Sequence, residues 1–249
     1  MIREERCEPF LNHVLIKHPG LVVKLLFTDD IMKDSITLCE NKAYKQDLID
    51  RNNNEGFVDN ANGRYLFPEN IDGTHYILIS NQQIEGDSYI STAAHECQHI
   101  LDYVTYCKNR CNGDFYQLLS LDIHPQFKKW SEYNAGKASH KVYWENRLNC
   151  AQKSDILHDM KHNLQNVFLR MRDYLNKDIQ FDDIEHAVND IVRLFSRIAV
   201  CHFSYRLDIR KLPPDFHGPY NTFVKYRSVM EVDYACIKKS IETIERKIA

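Results

Sequence analysis

From about Asp87 to its end, this chain contains no further segment that reads as a strand: apolar residues recur at helical spacing and continue to do so. That change of period is the strongest constraint on the fold, because a chain committed mostly to helix can set only a small sheet against it. Composition agrees. The 249 residues include only 8 Gly and 7 Pro, too few turn-formers for an all-β protein. With 43% hydrophobic and 27% charged residues the chain is neither disordered nor fibrous, and it is long enough to bury a sizeable core.

Ahead of that change the pattern is mixed. Leu21 to Phe27 follows a Pro-Gly turn and is β-branched and apolar, which predicts a strand. Ile36 to Ile49 reads as a short helix, and the stretch from Arg51 to Gly63, rich in Asn, Asp and Gly, as a loop enclosing a brief strand at Gly56-Phe57-Val58. Thr74 to Ser80 (THYILIS) is the clearest strand in the chain. Next, Asp87 or Ser88 would cap a helix reaching about Cys107, with Tyr89, Ala93, Ile100, Tyr103 and Val104 on its apolar stripe. A Cys-Asn-Gly-Asp turn ends it. A short helix from Phe115 to Leu121, a break at His124-Pro125 and a longer helix from Phe127 to Ala151 follow, with Trp130 and Trp144 as packing anchors. Three amphipathic helices complete the chain, over Ile156–Leu175, Phe181–Ile198 and Phe223–Ile248. The expected class is α+β, divided into a mixed front (residues 1–152) and a helical extension (residues 153–249).

Several functions are disfavoured at once. A net charge of -3 lacks the concentrated positive field that phosphate binding needs, so no nucleic-acid partner is expected. No segment approaches the ~20 apolar residues of a membrane span. The first twenty residues are charged early and interrupted by Asn12, His13 and Lys17, unlike a secretory signal, and a cytoplasmic location is the expectation. Eight cysteines are scattered along the chain, and the closest pair, Cys107 and Cys111, has no second pair beside it. They read as free, mostly buried thiols.

Chemistry enters at His95-Glu96-Cys97-Gln98-His99, an HExxH sequence in mid-helix. Shuffling this composition produces the pattern roughly 0.03 times per chain, so coincidence is a weak explanation. Two histidines four apart lie on one helical face, where both imidazoles reach one metal and the intervening Glu stands beside it. Zinc accepts neutral imidazole nitrogen, and a catalytic site keeps one position for water. Glu96 is then placed to take a proton from that water and pass it to a leaving amine. A third ligand must come from another element. Asp102 lies on nearly the same face as His95, but its axial offset of about 10 Å suits a supporting hydrogen bond better than coordination. Glu132 on the next helix offers a carboxylate, and Ala135 and Gly136 would let that helix come close; His140 and His124 are further candidates.

A strand (THYILIS), a helix bearing HECQH and a later Glu-x-x-Ala (EYNA) together resemble the gluzincin metallopeptidases, most closely their compact intracellular ImmA/IrrE-type branch. The resemblance covers roughly residues 70 to 145. It implies a zincin-like fold, with a small sheet packed on the active-site helix. It also implies Zn2+ held by His95, His99 and Glu132, Glu96 as catalytic base, and a protein or peptide substrate such as a regulatory protein. The chain departs from the family pattern in its Cys97-Gln98 pair and in the 33 positions between His99 and Glu132. The metzincin extension is missing, since Asp102 and Thr105 stand where it needs Gly and His. In such enzymes an edge strand pairs with extended substrate, which offers Thr74–Ser80 a role beyond that of an interior strand. Tyr133, His140, Tyr143, His217 and Tyr220 are available as oxyanion donors, with none singled out. The competing expectation is a catalytically inactive zinc-binding or helical interaction module on the same scaffold.

Overall fold

The computed structural model describes residues 3–53, 61–84, 88–121, 124–147, 154–159, 161–163, 165–166, 192–193, 196–197 and 199–201. The protein is α+β and divides into two compact units, Met1–His124 and Pro125–Ala249. Among the described residues no helix is long and apolar enough to cross a membrane. The expected strand at Gly56-Phe57-Val58 and the seam from Phe223 to Ile248 lie outside the described residues.

In the first unit a mixed sheet has the order β1-β3-β2, formed by β1 (Val22–Thr28), β2 (Gly63–Leu66) and β3 (Thr74–Ser80). β1 runs parallel to β3, with Val22 opposite Thr74; β2 runs antiparallel, with Gly63 opposite Ile79. The THYILIS strand is therefore the middle one. Ladders on both sides satisfy its backbone, and Ile77, Leu78, Ile79 and Ser80 are all buried, the pattern of a strand covered on both faces. An extended peptide cannot add to it, so the edge-strand role considered for it does not hold.

On one face of the sheet, Leu66 and Leu78 join Met32, Cys39 and Leu48 in a buried core beneath α2 (Ile31–Leu38) and α3 (Lys42–Asn52). Sequence spacing predicts one helix here and the structure has two. Asp30 caps the first by accepting from the Lys33 amide (2.9 Å), and Asn41 caps the second by accepting from the Tyr44 amide (3.0 Å). The backbone is extended at Cys39 and Asn41, which ends one helix and starts the next.

The other face carries α4 (Ser88–Arg110), which packs on β2 and β3. Its buried Ala93, Glu96, Cys97, Ile100, Val104 and Cys107 recur by threes and fours. Against α4 lies α1 (Arg3–Lys17), an element that the sequence pattern does not announce. It buries fully only Cys7 and Val14, seven residues apart, and it contains Pro9. Tertiary packing outweighs that weak local preference, with Arg6 lying over the Tyr89 ring at 5.8 Å. The turn after α4 behaves as its Cys-Asn-Gly-Asp composition predicts: Asn112 and Gly113 adopt φ of 49° and 84°. Asp114 then caps α5 (Phe115–Ser120) by accepting from the Tyr116 amide at 2.7 Å.

α6 (His124–Arg147) starts at the boundary and from Pro125 onward belongs to the second unit. Pro125 does not interrupt this helix but sits in its first turn, where a missing N–H costs nothing. Ser131, Tyr133 and Ala135 are fully buried. A side chain at Gly136 would collide with Ser196, so within this unit the small residue admits the helical residues around 196. The six described cysteines, Cys7, Cys39, Cys97, Cys107, Cys111 and Cys201, are buried free thiols.

Candidate metal centre

One helical turn separates His95 and His99 on α4, and their Nε2 atoms stand 3.1 Å apart with ring planes at 79°. Two imidazoles on one tetrahedral zinc, each about 2.0–2.1 Å from the ion, hold their nitrogens about 3.3 Å apart. The observed 3.1 Å is a hydrogen-bond distance that lies close to that separation. His99 is buried and His95 half-buried, so the two rings lead from the helix's packed side toward accessible space. The ring of Tyr103, one turn further on, meets His99 edge-on at 6.2 Å and also packs against Tyr65 and Phe67. An aromatic wall therefore backs the second histidine.

Glu96 is buried, and β2 controls its position. A Cβ placed on Gly63 would collide with the Thr92 methyl and come within 3.2 Å of both Cγ and Oε1 of Glu96. The first residue of β2 must be Gly for α4 to lie this close, and the approach sets the carboxylate against the strand. Sequence reasoning missed Gly63. Its only signal is a Gly standing immediately before the short Arg64-Tyr65-Leu66 run.

Asp102 is also buried and accepts from Gln98 Nε2 at 2.9 Å, a bond within the helix that fits a supporting role. His75, on β3, is a histidine of another kind. Its Nδ1 meets Tyr65 Oη at 2.8 Å and its Nε2 meets the Ile71 carbonyl at 3.1 Å, so the neutral ring donates through Nε2 and accepts through Nδ1. Burial lowers its pKa, only partly opposed by the Ile71 hydrogen bond.

In the second unit Glu132 lies half-buried on α6 between fully buried Ser131 and Tyr133, with Arg193 Nε 3.5 Å from its Oε2. His95, His99 and Glu132 each offer one ligand atom of a type zinc accepts. His140 belongs to a different cluster, bonded to Asp159 at 2.9 Å, and Tyr143 stacks on its ring. Tyr133 is buried beneath the Lys137 ammonium, 5.1 Å from its ring. The side chain of His124, together with His217 and Tyr220, lies outside the described residues.

Comparison with known protein families, with curated proteins and with solved structures finds no match to this chain.

Proposed function

We propose that the protein is a zinc-dependent metallopeptidase that hydrolyses peptide bonds in a protein substrate, with His95, His99 and Glu132 holding the ion. The observation that carries this reading is the convergence of two Nε2 atoms at 3.1 Å on α4, with the buried Glu96 carboxylate on the same helix. Zinc, when bound, supplies Lewis acidity that polarises a carbonyl and lowers the pKa of water. The chain's own residues do the rest. His95 and His99 present neutral nitrogens. Glu132 completes the set with a negative carboxylate, oriented by Arg193 in the way an outer partner steadies a ligand. Glu96 accepts the proton of the attacking water on its carboxylate and returns it to the leaving amine. Gly63 and Thr92 hold Glu96 in place for both transfers. A small sheet packed on the HExxH helix supports a zincin-like assignment, and an intracellular regulatory protein is the substrate class that the resemblance implies.

Zinc analysis combined with cleavage of a degenerate peptide library tests the proposal. Glu96→Gln should keep the wild-type zinc content and lose about 10²–10⁴-fold in hydrolysis, the usual worth of a positioned base. His95→Ala should lose both hydrolysis and one equivalent of zinc. Equal zinc in wild type and His95→Ala would overturn the metal assignment. Zinc retention without hydrolysis by the wild type would instead favour a zinc-binding regulatory module.

A further inference from the structure

The second unit holds a polar cluster that the peptidase reading does not use. His140 of α6, Asp159 of the helical stretch 154–159 and Cys201 in a π-helical turn at 200–201 bring one ligand atom each to a common point. Asp159 Oδ2 lies 2.9 Å from His140 Nε2, and Cys201 Sγ lies 3.8 Å from that oxygen and 4.0 Å from that nitrogen. His140 and Cys201 are buried. Short π-helical turns are unusual and often mark functional positions.

The hydrogen bonds of this cluster converge on the Asp159 carboxylate. Trp144 Nε1 can only donate, and it stands 3.1 Å from His140 Nε2. The ionised Asp159 carboxylate can only accept. One ring nitrogen can give Trp144 a lone pair or Asp159 a proton, but not both, so with no ion bound His140 Nε2–H and Trp144 Nε1–H both donate to Asp159 Oδ2, at 2.9 and 3.3 Å. A nucleophilic relay fails as well, because in such a relay thiol and carboxylate meet opposite ring nitrogens, whereas here both meet Nε2. A cation can take the place of the His140 Nε2 proton at the point where the three donors meet. Nε2, the carboxylate oxygen and the thiolate would each offer it an electron pair, and Trp144 Nε1–H would keep its bond to Asp159 Oδ2, 3.3 Å away. Asn163 Nδ2 already holds the other carboxylate oxygen at 3.0 Å, the outer support expected around a ligating carboxylate. Donors about 2.0–2.3 Å from a tetrahedral ion are separated from one another by about 3.3–3.7 Å, a range that the observed separations straddle.

We propose that His140, Asp159 and Cys201 form a second metal site, selective for a borderline-soft divalent cation and foremost Zn2+. A nitrogen, oxygen and sulfur donor set does not suit Ca2+ or Mg2+, which take oxygen ligands. The three ligands come from segments as far as 61 residues apart, so a bound ion would tie α6 to two later helical stretches.

The test exchanges zinc for Co2+ in the full-length protein and follows the near-ultraviolet charge-transfer band that a thiolate ligand produces and that imidazole or carboxylate ligands do not. The wild type should show the band, Cys201→Ser and His140→Ala should lose it, and His95→Ala should keep it. No band in the wild type, or its survival in Cys201→Ser, overturns the site. X-ray absorption at the zinc edge of the wild type provides a check that needs no variant: a sulfur neighbour at about 2.3 Å is expected, and a shell of nitrogen and oxygen alone refutes the proposal. Because His95, His99 and Glu132 contribute no sulfur, the band tests this site without reference to the peptidase reading.

Discussion

His75 and the His95/His99 pair belong to the same unit, yet they sit in opposite chemical settings. His75 is closed: one nitrogen donates to a carbonyl, the other accepts from Tyr65, and the ring stacks on the Tyr65 ring at 5.9 Å. His95 and His99 instead direct nitrogens of the same kind at each other across 3.1 Å. A histidine whose two nitrogens have complementary partners on other elements is a packing element with a fixed tautomer, whereas two Nε2 atoms brought together on one helix face form a pair that one cation can share. Burial alone does not separate them, because His99 is buried as well. The orientation of the partners does.

The contrast is most strongly tested by substitution at each member. His99→Ala should abolish zinc retention at the α4 site, a larger loss than the ~10–100-fold that removing an outer partner costs. His75→Gln should leave zinc content unchanged while lowering the urea midpoint by an amount corresponding to ~1–3 kcal/mol, since it strands buried polar partners. Metal analysis and denaturation of both variants check the pair of outcomes, and loss of zinc in His75→Gln would erase the distinction.

Gly63→Ala comes next. The new methyl would press on Thr92 and Glu96, and overpacking of this kind costs ~1–3 kcal/mol. Thr92→Ser removes the methyl group that stands closest. The double variant Gly63→Ala/Thr92→Ser should therefore recover much of the lost stability and hydrolysis. Purely additive effects would show that the close approach of β2 to α4 is not what positions Glu96.

The smallest effect is a dependence on pH. Because burial lowers the folded pKa of His75, the unfolded chain binds that proton more readily. Stability from this residue is complete above the ordinary histidine pKa of about 6.5 and is lost as pH falls from there toward the folded pKa. Urea midpoints across that window should decline on acidification in the wild type and decline less in His75→Gln; identical slopes would show that His75 contributes nothing to the titration.

What was legible in sequence was local. The HExxH spacing needs only one helix, and α4 forms where the apolar stripe from Tyr89 to Cys107 predicts it. β1, β3, α5 and the Asn112-Gly113 turn likewise follow from residues within a few positions of one another. The misses depend on distant partners. α1 exists because α4 receives it, β2 because β3 pairs with it, and the division of α2 from α3 turns on which of several Asn and Asp residues caps. Nothing in the sequence marks Cys201 among eight scattered cysteines, and residue order alone offers His140 only as a further candidate ligand for the HExxH helix.

Residue order accounts for the α+β class and the helical pair His95/His99, because periodicity and i,i+4 geometry act over a single turn. It cannot account for β3 as the middle strand, Gly63 against Glu96, or Asp159 and Cys201 beside His140. Those juxtapositions span from 19 to 61 positions in the second unit, and in the first 33 between Gly63 and Glu96 and 52 between Val22 and Thr74, and arise when packed elements bury their apolar faces together. The chain encodes such contacts only through the summed free energy of the whole packing, which no short window of residues displays.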